Sequence, residues 1–190
     1  MPTKIFLLFS FCFFGSVIGK SILDGKKCPI PVTPSPSFKI DDFVGLWYET
    51  ERSLEPFELG WDCSSFNYTH VSGNKFLVDM NGQKDGKKVA NHGTATNDDK
   101  TPYVLNLKFG QFDIPDPQWI VEMDAEKGYA LVFTCFDKIG PIPVQIKFAW
   151  IMSRTRTLDK AIADKLHKKL ETLGMAASSL QPVKQEHCLK

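Results

Sequence analysis

Residues Ser64 to Phe109 read SSFNYTHVSGNKFLVDMNGQKDGKKVANHGTATNDDKTPYVLNLKF, and this stretch decides the fold class. It breaks into short runs rich in β-branched and aromatic residues: Ser64–Val71, Phe76–Met80, Val89–Thr96 and Tyr103–Phe109. Between them stand turn-forming residues: Ser72-Gly73-Asn74, Asn81-Gly82, Asp85-Gly86 and Asn97-Asp98-Asp99. Glycine supplies positive φ at no steric cost, and Asn or Asp side chains close local turns, so such groups mark reversals between strands. Outward from this core the same rhythm continues. Leu46–Glu51 precedes it; Trp119–Met123, Tyr129–Cys135 and Gln145–Ser153 follow, punctuated by Pro115-Asp116-Pro117 and Lys127-Gly128. About eight short strands at intervals of about 10 residues predict an antiparallel all-β sandwich or barrel.

One helix interrupts the β pattern. Leu158, Ile162, Leu166, Leu170 and Leu173 form a single apolar stripe at helical spacing, with Thr157 as expected N-cap and Gly174 at the C′ position. Lys160, Asp164, His167, Lys168 and Glu171 fall on the other face, so His167 is read as solvated surface. The final strand shows where this helix goes. One parity of Ile146–Met152 holds Ile146, Phe148, Trp150 and Met152; the other holds Lys147, Ala149 and Ile151. A strand buried on both faces loses its alternation. The pattern predicts an inner face lining the sheet interior and an outer face receiving the helix.

The N-terminus is not part of this domain. Lys4 precedes thirteen uncharged residues, Ile5–Val17, and Val17 and Gly19 are small enough for a cleavage site, so residues 1–19 read as a signal peptide. A membrane anchor would need about 20 apolar residues. Residues 28–37 carry four prolines, and residues 20–37 read as an extended arm ahead of the domain at 38–190. The chain has 23 Lys and Arg against 22 Asp and Glu. So balanced a charge offers no field for nucleic acid or an anionic membrane. Cys12 leaves with the leader, and Cys28, Cys63, Cys135 and Cys188 remain. An even number of widely spaced cysteines in a secreted chain favours two disulfides, and the histidines are too scattered to suggest a metal site. Asn67-Tyr68-Thr69 is a glycosylation sequon that predicts exposure at Asn67.

Three further features carry a family resemblance. Gly45-Leu46-Trp47 opens the first strand, Asp124 precedes Tyr129–Val132, and Arg154 ends the last strand. Together they resemble the signature motifs of lipocalins, although Met123 and Ala125 depart from the usual residues around Asp124. Cys63 with Asn67-Tyr68-Thr69, Gly93-Thr94-Ala95-Thr96, Ala149-Trp150-Ile151 and Cys188 are most similar to the group of apolipoprotein D and the bilin-binding proteins. The resemblance implies an eight-stranded up-and-down barrel with one C-terminal helix packed outside. It implies that Gly45, Trp47, Asp124 and Arg154 are structural, with the Arg154 guanidinium over the Trp47 indole at the closed end. It implies the pairings Cys28–Cys135 and Cys63–Cys188. It also sets the inward parity, placing Trp150, Phe148, Met152, Phe109, Leu107 and Leu105 at a ligand cavity rather than in a solid core. Glu49 and Glu51 share the parity of Trp47, so one of them is expected to face that cavity and disfavour carboxylate ligands.

The implied function is a secreted carrier of a small hydrophobic ligand such as a fatty acid, steroid or retinoid. A pigment carrier for biliverdin or a carotenoid, an interaction protein and a lipocalin-fold isomerase are the alternatives. The isomerase of this fold uses a free pocket cysteine, whereas the first strand here carries Thr50, and no catalytic motif appears. No cofactor beyond the bound ligand is expected, and the protein is expected to be a monomer or weak dimer. Leu54, Phe57, Leu59 and Trp61, with Phe112 and Ile114, and with Ile139 to Val144 including Ile142, are apolar in three connections that a lipocalin topology gathers around the cavity mouth. They predict either a lipid-contacting patch or a lid over the ligand.

Overall fold

The computed structural model describes residues 27–110, 116–138 and 140–189. Alternation drives the strands. In β3 (Lys75–Lys84), Phe76, Val78 and Met80 are buried while Leu77 and Asp79 point outward. Directly opposed residues share a face, so Trp47 in β1 (Gly45–Ser53) brings Phe66 of β2 (Asp62–Ser72) and then Met80 into the same interior layer. β4 (Lys87–Asp98) is polar and largely exposed; its place is set by an unbroken antiparallel ladder to β3 from Lys75↔Thr96 to Lys84↔Lys87. β5 (Thr101–Phe109), β6 (Asp116–Asp124), β7 (Tyr129–Phe136) and β8 (Ile146–Ser153) continue the meander. Pairing of β1 with both β8 and β2 closes eight strands into a barrel.

Several local expectations need correction. The strand after Phe76 does not turn at Asn81-Gly82; it runs on to Lys84 and reverses at Asp85-Gly86. Gly82 is used instead for close approach, since a Cβ there would stand 2.9 Å from the Trp61 ring. Pro115-Asp116-Pro117 is not wholly a turn. β6 begins at Asp116, and Pro117 sits at the strand start where its missing N–H costs least. The helix, α1 (Lys160–Thr172), is capped by Asp159 rather than Thr157: the Asp159 carboxylate accepts from the N–H groups of Ala161 (2.8 Å) and Ile162 (3.3 Å).

The two cores match the two faces of the last strands. Ala130, Val132, Trp150 and Met152 join Trp47 and Phe66 inside the barrel. Leu131, Phe133, Ala149 and Ile151 join Leu166 and Leu170 of α1 outside it. Burial of those two leucines contributes about 1.5–3 kcal/mol each, which holds the helix on the sheet.

β1 departs from simple alternation. Its pairing with β8 shifts register between Glu49 and Glu51, so Thr50 is the extra residue of a bulge. The bulge breaks the shared parity expected of the two acids. Glu49 turns inward and is fully buried, while Glu51 turns outward and pairs with the helix. There His167 Nε2 lies 2.7 Å from Glu51 Oε2, so His167 is partly buried against the sheet instead of solvated. At the same bulge β1 parts from β2, and a ninth strand, β9 (Leu180–Pro182), pairs with Glu51–Ser53. The following tail fills the opened seam: Cys63 N donates to Lys184 O (2.7 Å), and the Gln185 amide donates to Glu49 O (2.9 Å) and Ser64 O (2.8 Å). The disulfides Cys63–Cys188 and Cys28–Cys135 tie the tail and the N-terminal arm to the barrel, spanning 125 and 107 residues.

Candidate functional site

One end of the barrel is sealed. Arg154 lies with its guanidinium carbon 3.6 Å from the centre of the Trp47 ring. Its terminal nitrogens donate to the carbonyls of Leu46 (2.7 Å), Asp42 (2.9 Å) and Val44 (2.8 Å), just before and after Gly45. Trp47 Nε1 donates to Phe43 O (2.7 Å), and the two rings stack at 5.3 Å. Asp124 works one step away. Its carboxylate accepts from Lys127 N (2.9 Å), which holds it below the usual carboxylate range, and this turn presents Gly128 O to Arg154 N (2.8 Å).

Toward the other end the interior opens into a cavity of about 340 Å³. Phe109, Leu107, Phe148 and Trp150 form its wall together with Phe66 and Met80. Phe109 can lie across the barrel because residue 93 on the neighbouring strand is glycine; a Cβ there would stand 2.6 Å from the ring. Leu105 and Met152, expected on the wall, lie one alternation deeper and belong to the packed core. Glu49 is buried beside the cavity rather than on its wall. Asn91 and Gln118 add polar groups, and the Gln118 carbonyl accepts from Tyr68 Oη at 3.4 Å. The Trp150 indole N–H is buried and has no hydrogen-bond partner among the described residues.

Glu55, Phe57 and Glu58, between β1 and β2, form part of the rim with Gly110 and Phe136. Phe57 is 64% exposed, and Leu54, Leu59 and Ile142 are comparably open. Trp61, expected among these surface residues, is instead buried in the interior core over Gly82. Phe112, Ile114 and Ile139 lie outside the described residues. Asn67 is on the outer face of β2, partly exposed.

A charged cluster stands behind this rim. Arg52 Nη1 donates to Glu49 Oε2 (2.6 Å) and Ser64 Oγ (2.9 Å), and Nη2 donates to the carbonyls of Glu58 (2.8 Å) and Trp61 (2.6 Å). The Glu58 carboxyl lies 3.1 Å from Nη1. Burial raises the pKa of Glu49, and raises that of Glu58 well above the carboxylate range, with the Glu49 charge adding to the push. Periodicity carried Glu49 inward with Trp47, but the rest of the cluster was not visible in it, because a bulge turns Glu51 away and a loop supplies Glu58. Phe66 and Met80 were more accessible to inference, since both follow from the alternation that carries Trp47 inward. Among the described residues no group of three His, Cys, Asp or Glu gathers as metal ligands would.

A family model described as a lipocalin-like domain matches residues 38–185. The chain belongs to the lipocalin family. Among named relatives, apolipoprotein D of Macaca fascicularis is 30% identical over 177 residues, 92% of this chain and 90% of that protein. Apolipoprotein D of Oryctolagus cuniculus is 31% identical over 159 residues, covering 83% and 82%. Among solved structures, lobster apocrustacyanin A1 superposes with a TM-score of 0.73 at 20% identity, over 90% of this chain and 95% of that one. Insecticyanin from the tobacco hornworm Manduca sexta gives 0.71 at 24% identity, over 89% and 91%. At those identities the structural likeness shows the fold.

Proposed function

We propose that this protein is a secreted carrier that holds one small hydrophobic molecule in the barrel, beside Trp150. The observation that carries this reading is the cavity itself: an apolar, aromatic-walled space of about 340 Å³, sealed at one end by Arg154 over Trp47. That volume falls within the usual range for small-molecule sites. Burying about 200 Å² of ligand contributes roughly 5 kcal/mol at 25 cal/mol per Å², and ordering costs offset part of it, so micromolar affinity is expected. The leader at 1–19 and the two disulfides support secretion, and the sequon at Asn67 marks a glycosylation site on the outer face. The four described cysteines are paired with one another, so they supply no thiol nucleophile for the isomerase alternative. Exposed Leu54, Phe57, Leu59 and Ile142 make the mouth a surface suited to lipid contact.

Titration with retinoids, steroids, long-chain fatty acid derivatives and biliverdin, followed by tryptophan fluorescence, tests the proposal. At least one class quenches the native protein, and Trp150→Phe loses most of that signal. Quenching that is unchanged in the variant would move the ligand elsewhere. The absorption spectrum of protein purified from its source distinguishes a pigment from a colourless lipid.

A further inference from the structure

The carrier reading leaves open which chemical class of hydrophobic molecule the cavity accepts, and the polar groups around it bear on that question. Among the described residues lining the cavity there is no lysine, arginine or histidine; the ionisable ones are Glu55 and Glu58. Arg52 is the nearest described cation to Glu58, and it does not line the cavity. Its terminal nitrogens carry four N–H groups, and Glu49 Oε2, Ser64 Oγ and the carbonyls of Glu58 and Trp61 occupy them. An incoming carboxylate would therefore find no donor there without stripping Glu49, a fully buried acid, of its counter-charge.

The cluster is also already balanced. Glu49 and Glu58 face a single guanidinium; among the described residues Glu49 Oε1 has no hydrogen-bond partner, and Glu58 Oε2 has the 3.1 Å ion pair with Arg52 Nη1 but no aligned hydrogen bond. One proton held by the two carboxyls lets them bond to each other and leaves one negative charge against one positive. Burial raises both pKa values, and the Glu49 charge pushes that of Glu58 further up, which favours that state. Glu55, which also acts on Glu58, adds a further acid to this side of the cavity. An ionised ligand would bring uncompensated negative charge into an apolar space whose ionisable lining residues, among those described, are both acids.

The cavity does offer a neutral donor. The indole N–H of Trp150 is buried on the wall with no acceptor among the described residues. An unsatisfied buried donor costs about 1–3 kcal/mol, and a ligand oxygen placed against it would recover that penalty.

We propose that the cavity selects uncharged hydrophobic molecules bearing an acceptor oxygen, such as an ester, ketone or amide, over ionised carboxylic acids. Trp150 Nε1 donates to the oxygen, and the Glu49–Glu58–Arg52 cluster rejects the anion. The selectivity rests on the carrier reading and deepens it.

The test is displacement of the neutral reporter N-phenyl-1-naphthylamine, at neutral pH, by laurate, methyl laurate and dodecylamine, which share one chain and differ in head group. Methyl laurate displaces the reporter at a concentration about tenfold lower than laurate. Glu58→Gln keeps the cluster's one-to-one charge balance and puts amide N–H donors in place of a carboxyl that can ionise, so it narrows that gap by tightening laurate about fivefold, with a smaller change for methyl laurate. Trp150→Phe weakens methyl laurate about fivefold relative to the reporter, which has no acceptor oxygen. Equal displacement by acid and ester, a gap unaltered in Glu58→Gln, or tightest binding of the amine would each overturn the selectivity. Reporter affinity and circular dichroism confirm that a variant is folded, and Glu49→Gln makes the equivalent change on the other carboxyl should Glu58→Gln fail to fold. A native protein that binds neither reporter nor any of the three chains would overturn the carrier reading itself.

Discussion

The guanidinium of Arg154 and the indole of Trp47 are the two halves of one seal: the cation lies 3.6 Å above the ring and donates to carbonyls on both sides of Gly45. The planar fork stacks and bonds at once, which an ammonium does not do. Arg154→Ala is expected to cost about 2–3 kcal/mol from the lost cation–π contact and carbonyl bonds together. Arg154→Lys recovers only a minor part. Urea midpoints of the three proteins check this, and full rescue by lysine would show that charge alone matters.

The helix is held by Leu166 and Leu170, both fully buried against the outer face of β7 and β8. Leu170→Ala is expected to destabilise the protein by about 2–5 kcal/mol. Because the cavity lies on the opposite face of the sheet, reporter affinity at low temperature stays within about twofold of the native value. A large affinity loss in the folded variant would instead couple the two cores.

Stability is expected to fall as the solution becomes more alkaline. Glu49 and Glu58 have pKa values raised above their usual 4.5 in the folded state, so above that pH the native protein binds more protons than the unfolded chain. The stabilisation is complete below the ordinary carboxylate range and is lost as pH climbs through the raised values. Chemical denaturation at several pH values above 5 measures the slope. Glu58→Gln flattens it, and an identical slope in the variant would assign the effect to other groups.

Cys63–Cys188 closes a separation of 125 residues, for which the chain-entropy model gives about 5 kcal/mol. Cys188→Ser is expected to approach that loss and to release residues 180–188, seen as faster amide exchange at Val183 and Cys63. Non-reduced peptide mapping of the native protein yields Cys28 linked to Cys135 and Cys63 linked to Cys188. A Cys28–Cys63 peptide would contradict both structure and prediction.

Contact of the mouth with lipid is expected to be apolar in origin, because the chain is nearly neutral and Leu54, Phe57, Leu59 and Ile142 are exposed. Co-sedimentation with zwitterionic vesicles therefore persists in high salt and drops in Phe57→Ser/Ile142→Ser. Binding that vanishes in salt, or that survives both substitutions, would favour the lid reading.

What could be read from the sequence follows physical periodicity. Phe148 and Trp150 share a face because a strand repeats every two residues, the resemblance to lipocalins marking that face as the inner one, and Leu166 and Leu170 face the sheet because a helix repeats every 3.6. The misreadings cluster where periodicity is interrupted or overruled. One bulge residue, Thr50, separates the fates of Glu49 and Glu51. Asn81-Gly82 carries a turn signal, yet the strand continues because Trp61 covers the glycine. His167 has a polar-face position and still meets Glu51, since a helix lying on a sheet brings its flanking residues close to the strands. The Arg52 cluster is built by an irregular loop over Glu58 and Trp61, and β9 by pairing with a strand far away in sequence, and neither leaves a periodic signal.

The seam where β1 parts from β2 has a consequence for biogenesis. The wall there is completed by Leu180–Cys188, which leave the ribosome after the eight barrel strands and the helix, and the Gln185 amide bridges the carbonyls of Glu49 and Ser64. Synthesis runs from the N-terminus, so eight strands and the helix emerge while this side of the barrel is still unsealed. Closure is thus a late, long-range step, coupled to oxidation of Cys63 with Cys188. A chain ending before residue 180 would keep the β1–β2 pairing at Gly45–Tyr48 but leave a slit in the wall beyond it, a vessel short of one stave.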